Sequence, residues 1–133
     1  MKTKVMKVGI ISKEDYRKRT IAMAKGDYKP KKNEPKVWFE SITSMAQVLN
    51  NENQELLRTI IHNKPRSISD LEKITSRKKS NLSRTLKTLE KYGIVSLKKE
   101  HGKVIPEVNA TDFNVQFGLH YSHPIKNSHS LPL

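Results

Sequence analysis

Apolar positions along this chain follow short runs, helical stripes and strand-like alternations in turn. Val5-Met6-Lys7-Val8-Gly9-Ile10-Ile11 is a short apolar run and predicts a strand. Ser12 follows with capping-box spacing to Asp15, so a helix is expected over 13–25, ended by Gly26. The apolar face of that helix (Tyr16, Thr20, Met23, Ala24) is weak and calls for a partner surface. Residues 27–36, DYKPKKNEPK, hold two prolines and four lysines and read as an exposed linker.

From Val37 the pattern becomes that of a packed domain. Val37-Trp38-Phe39 is an aromatic anchor for a core or an interface. A helical stretch over 44–49 places Met45, Val48 and Leu49 on one face; Asn50-Asn51 interrupts it, and 52–62 resumes with Leu56, Leu57, Ile60 and Ile61 inward. Lys64-Pro65-Arg66 stops this helix. Ser69-Asp70-Leu71-Glu72 has the spacing of a capping box and opens a short helix to about Thr75, with Ile68, Leu71 and Ile74 toward the core. After a turn at Ser76-Arg77-Lys78, a longer helix runs over 79–92, from Lys79 to Tyr92, with Leu82, Leu86 and Leu89 as its stripe and Gly93 beyond its end. Ile94-Val95-Ser96-Leu97 then alternates as a strand, 99–103 turns, and 104–108 returns, with Pro106 implying an edge or a bulge. Residues 113–117 alternate again and suggest a third strand, whereas 120–133 show no periodicity and read as a disordered tail.

Charge changes this picture. The 133 residues carry 26 Lys+Arg against 13 Asp+Glu, a formal net charge of +13, which favours a polyanionic partner because neutralised phosphates release counterions. The excess is uneven: residues 1–36 hold 12 basic and 4 acidic side chains, and residues 76–103 hold nine and two. Cysteine is absent, which excludes disulfides and thiolate metal sites. The basic first twenty residues have an apolar run too short for a signal peptide or a membrane span, so a soluble, cytoplasmic protein is expected, with no membrane partner.

Helix, helix, turn, helix and a two-stranded hairpin, in that order, make the pattern of a winged helix-turn-helix. The expected fold class is therefore α+β, mainly α, with a basic strand–helix extension and linker over 1–36, the winged domain over 37–119 and the tail over 120–133. With the leucine stripe buried, Ser80, Asn81, Ser83, Arg84 and Lys87 fall on or beside the outer face of the longer helix. Asn pairs bidentately with adenine and Arg with guanine, while hydroxyls and lysines serve phosphates or bases. Arg77, Lys78 and Lys79 precede the helix or open it, where the positive end of its dipole also favours phosphate. Lys98, Lys99, His101 and Lys103 on the hairpin read either as a wing touching the duplex backbone or as a solvated tip.

Residues 67–95, SISDLEKITSRKKSNLSRTLKTLEKYGIV, resemble winged helix-turn-helix transcriptional regulators of the MarR and ArsR kind, most specifically over SNLSRTLKTLEKYGIV. Over about 4–119 the chain also resembles small DNA-binding proteins described as antitoxin components of two-gene toxin–antitoxin modules. The resemblance implies operator binding as a homodimer, autorepression and, in the antitoxin case, a second surface holding a cognate toxin. It departs from ArsR-type metal sensing in lacking cysteine, and from MarR-type ligand sensing in its short flanks. Two roles stay open: a stand-alone repressor, and an interaction module that mainly neutralises a toxin.

His62, His101, His120, His123 and His129 have no metal-ligand spacing, and the last three fall in the expected tail. No Gly-rich phosphate loop, HExxH motif or nucleophile–base pairing is present. No cofactor, metal site or enzymatic activity is therefore expected.

Overall fold

In a computed structural model, which describes residues 2–119, the elements run β1 (Val5–Ile10), α1 (Lys13–Ala24), β2 (Val37–Phe39), α2 (Ile42–Val48), α3 (Asn51–Asn63), α4 (Ile68–Thr75), α5 (Lys79–Lys91), β3 (Val95–Glu100), β4 (Lys103–Val108) and β5 (Asp112–Gln116). The described residues are thus mixed α+β, with five helices and two small sheets. The tail expected over 120–133 lies outside them.

β1 is the centre of a three-stranded sheet ordered β2-β1-β5, parallel to both neighbours. α1 is the crossover that parallel pairing of β1 and β2 requires. β5 arrives only after the chain has passed through every other element, and Thr111 pins its start: Lys4 N–H donates to Thr111 Oγ1 at 2.8 Å. The expected third strand thus forms, but beside β1 rather than in the hairpin. Residues 1–36, read from sequence as an extension, contribute the middle strand of this sheet.

Alternation along β1 gives the sheet two different faces. Val8, Ile10 and Phe39 join one apolar core with Leu56, Leu57 and Ile60 of α3, Leu71 of α4, and Leu82, Leu86 and Leu89 of α5. Phe39 stacks on Tyr92 at the end of α5, with ring centroids 4.4 Å apart. Gly9 and Trp38 face the other way, toward α1. A Cβ at Gly9 would enter the Trp38 ring and lie 3.1 Å from Pro35 Cγ, so only glycine lets this ring lie on the strand.

Here the expected α1 face is corrected. Tyr16, Thr20 and Ala24 are exposed; Arg19 and Ala22 are the buried residues, and Met23 is half-buried. Arg19 Nη2 donates to Glu34 Oε1 at 3.0 Å, and its guanidinium carbon lies 5.0 Å from the Trp38 ring centroid and 5.7 Å from that of Tyr28. Glu34 also accepts from the Tyr28 hydroxyl and, at 2.8 Å, from Lys31 N–H. Residues 27–36 are mostly exposed, as expected, but they are tied to α1: Pro35 is buried and Glu34 is drawn inward. Burial, then the Glu34 carboxylate, push the Tyr28 hydroxyl up to about 12. Burial alone would raise the Glu34 carboxyl, but the bonds from Tyr28, Lys31 and Arg19 outweigh it and hold the carboxyl below its ordinary value.

α3 starts where sequence saw an interruption, because Asn50 accepts from Asn53 N–H at 2.8 Å and caps it. Its end is set by Lys64 in the left-handed region, φ 47°. The cap of α4 is also corrected: Ser67, not Ser69, accepts from Asp70 N–H at 3.0 Å, and Asp70 reaches back to Arg66 N–H. That cap starts the helix earlier than the Ser69 box implied. Ile68 and Leu71 are buried as expected, whereas Ile74 is 43% exposed. It borders an open groove of about 590 Å³ between α3 and the α4–α5 turn, together with Leu56 and the carboxylates Glu52 and Glu55.

Candidate nucleic-acid interface

Three leucines set the exposed side of α5. Leu82, Leu86 and Leu89 are all 0% accessible, so the helix cannot rotate without bringing a charged residue into the core. That orientation leaves Lys79, Ser80, Asn81, Arg84 and Lys87 exposed and Ser83 half-buried. Ser80, Arg84 and Lys87 follow one another at helical neighbour spacing and share one stripe. The helix closes by a Schellman motif: Gly93 (φ 74°) donates to Glu90 O and Ile94 to Leu89 O, both at 2.9 Å. Ile94 and Leu89, the apolar pair of this motif, are both fully buried.

Because Ile94 is fixed by that motif, the hairpin leaves α5 in one direction. Asn109 locks its base, with N–H to Ile94 O at 2.8 Å and Nδ2 to Gly93 O at 3.0 Å. At the tip, His101 (φ 50°) and Gly102 (φ 75°) both have positive φ, as a two-residue type I′ turn requires. The turn is thus shorter than the 99–103 read from sequence, and β3 runs on through Glu100. Lys98, Lys99, His101 and Lys103 are exposed along the outer half of this hairpin. Lys98 is paired with Glu107 across the strands at 3.2 Å, with more than half of its side chain accessible.

Besides Lys98, two of the expected contact residues are already engaged. Arg77 donates through Nε (3.1 Å) and Nη2 (2.7 Å) to Asn81 Oδ1, and through Nη2 to Thr85 Oγ1 at 3.2 Å. The bidentate adenine pairing read into Asn81 needs that same oxygen as an acceptor, so Arg77 would have to release it. Likewise, the start of α5 already has an anion: Glu72 Oε2, from α4, accepts Lys79 N–H at 3.3 Å. A phosphate at this end, as expected from the dipole, would have to share the position with a carboxylate. Lys78, in the N-cap position, makes no side-chain cap bond. Thr85 was not singled out from sequence, and Glu72 was read only as part of a capping box. The spacing of Arg77, Asn81 and Thr85, each four residues apart, was the available signal for the first.

A family model, HVO_A0114, matches residues 48–115, just over half of the chain. The chain belongs to the HVO_A0114 family. The HVO_A0114 match starts at the last residue of α2 and ends within β5, so it takes in α3, α4, α5 and the hairpin with Arg77, Lys78, Lys79, Arg84, Lys87, Lys98, Lys99 and Lys103. β1, α1 and β2 lie before it. No curated protein and no solved structure matches the chain.

Among the described residues, no three His, Cys, Asp or Glu side chains come together as a metal site, and no helix is long and apolar enough to cross a membrane. His62 Nδ1 bonds Arg58 O at 2.9 Å on the surface of α3. His120, His123 and His129 lie outside the described residues.

Proposed function

We propose that this HVO_A0114-family protein is a sequence-specific, duplex-DNA-binding transcriptional regulator of winged helix-turn-helix type. α4 and α5 are its helix-turn-helix, α5 is the recognition helix, and β3–β4 is the wing. The observation that carries this reading is the fixed orientation of α5, with three fully buried leucines opposite an exposed Ser80–Arg84–Lys87 stripe. A major groove admits one helix, and its base edges distinguish all four pairs, so such a stripe is what direct readout needs. Arg84 is the residue assigned to guanine. Lys78, Lys79, Lys98, Lys99 and Lys103 are assigned to phosphates, with His101 at the wing tip; such contacts position the protein without reading sequence.

The reading includes a homodimer on a two-fold operator and autorepression. The second copy is assigned to the edge of β5 that no strand covers among the described residues. Asp112 is the only charged residue of that strand in a chain of net charge +13, and Val115 and Phe117 are 41% and 54% exposed along it. A two-fold axis at Val115 would set each copy's Phe113 against the other's Phe117. The toxin partner rests on the family resemblance alone, and co-purification with the product of an adjacent reading frame would establish it.

Anisotropy titration on operator duplex tests the DNA reading. Arg84→Ala is expected to lose on the order of 1–3 kcal/mol of binding and to relax sequence preference. Binding equal to wild type on every duplex would overturn the assignment of α5.

A further inference from the structure

A second basic surface lies on the opposite side of the β2-β1-β5 sheet from the core. α1 and residues 27–36 cover the face that carries Gly9 and Trp38, whereas the face that carries Val8, Ile10 and Phe39 shares one apolar core with α3, α4 and α5. Lys13, Arg17, Lys25, Lys29, Lys31 and Lys32 are all exposed on this outer layer. Little opposes them. Of the four acidic residues within 1–36, Glu34 is drawn inward by Arg19 and Glu14 is paired with Lys18 at 3.6 Å. Asp15 is half-buried, which leaves Asp27 as the exposed unpaired counter-charge within 1–36, with exposed Glu40 beside the start of α1.

The lysines of the 27–36 segment are also presented on ordered backbone. Lys31 N–H donates to Glu34 Oε2, Glu34 N–H returns to Lys31 O at 3.2 Å, and Arg19 and Tyr28 hold the same carboxylate. The half-buried carboxylate therefore ties the loop to α1, while its cationic neighbours Lys29, Lys31 and Lys32 are exposed. Ordering the loop in advance lowers the entropic cost of engaging a ligand. All but one of the cations here are lysines, flexible point charges that suit phosphate and lack the planar fork that reads base edges.

We infer that this face is a second, sequence-independent site for duplex DNA backbone, so that one assembly bridges two duplex segments. The inference rests on the DNA-binding reading of α5 for the first segment. The sheet and core stand between the two faces, so a straight duplex docked on α5 does not reach Lys29, Lys31 and Lys32.

The test is a bridging capture with the full chain. A biotinylated operator duplex is held on beads, protein is added, and a fluorescent duplex of unrelated sequence is offered in solution. Wild type is expected to retain the second duplex. Lys29→Gln/Lys31→Gln/Lys32→Gln is expected to lower its retention roughly tenfold and to flatten the salt dependence of that step by up to about three in log–log slope, at about 0.9 per phosphate contact. Its binding of the first duplex and its melting temperature should stay close to wild type. Failure of wild type to retain a second duplex, or equal bridging by the triple variant, would overturn the inference. The latter would place bridging in paired α5 faces. Arg84→Ala/Lys87→Ala separates the two readings: first-duplex affinity equal to wild type would count against α5 alone, while loss of bridging in the lysine variant would still support the α1 face.

Discussion

α1 and α5 are basic helices of nearly equal length, 12 and 13 residues, and both end in a Schellman motif on a positive-φ glycine. They are held in place by opposite means. α5 is fixed by three leucines, a non-directional apolar stripe that tolerates only one rotation of the helix. α1 has no such stripe; a buried arginine, a carboxylate, a tyrosine hydroxyl and an indole ring hold it. Two surfaces of similar charge can thus rest on very different energetics. Breaking the apolar stripe costs packing, whereas breaking the polar cluster leaves a charge without its partner.

The largest expected effect comes from separating those two costs. Glu34→Ala should destabilise the fold by roughly 3–5 kcal/mol, because it strands the Arg19 guanidinium, whose Nε is already buried without a hydrogen-bond partner among the described residues. Leu86→Ala should cost a similar or smaller amount, about 2–5 kcal/mol, through a cavity in the shared core. Urea denaturation measures both. Amide exchange should then tell them apart, since Glu34→Ala is expected to loosen α1 and 27–36 before α5, and Leu86→Ala to lower protection throughout the core.

A smaller effect follows from acid. The Glu34 carboxyl is held below its ordinary 4.5, so its stabilisation is complete above that value and is lost as pH falls through the lower folded-state value. Thermal melts across this acid window should show a steeper decline for wild type than for Glu34→Gln. Parallel declines would remove Glu34 from the account of α1. The smallest expected change is at the hairpin. Lys98→Ala should weaken duplex binding on all sequences alike and reduce the salt slope by about 0.9, measured by anisotropy at several ionic strengths.

The contrast between the helices also explains what was legible in the chain. Leu82, Leu86 and Leu89 with Gly93 announced α5 within one residue of its observed end, because apolar periodicity and a glycine stop are local signals. The hairpin was legible for the same reason. α1 was found as a helix from Ser12 and Gly26, but its inward face was misassigned, because a buried Arg19 looks like any other basic residue until Glu34 and Trp38 are brought beside it. The pairing of β5 with β1 joins residues more than a hundred positions apart, and alternation alone does not name a partner. On the candidate interface, the outward set on α5 was readable, whereas the tie of Arg77 to Asn81 and the Glu72 carboxylate at the start of α5 depend on how α4 meets α5.

Selection from a random duplex pool tests the central claim most directly. Wild type should enrich a defined motif containing guanine, and Arg84→Ala/Lys87→Ala, folded and equally soluble, should fail to enrich it. Enrichment of the same motif by the variant, or of none by wild type, would contradict sequence reading by α5.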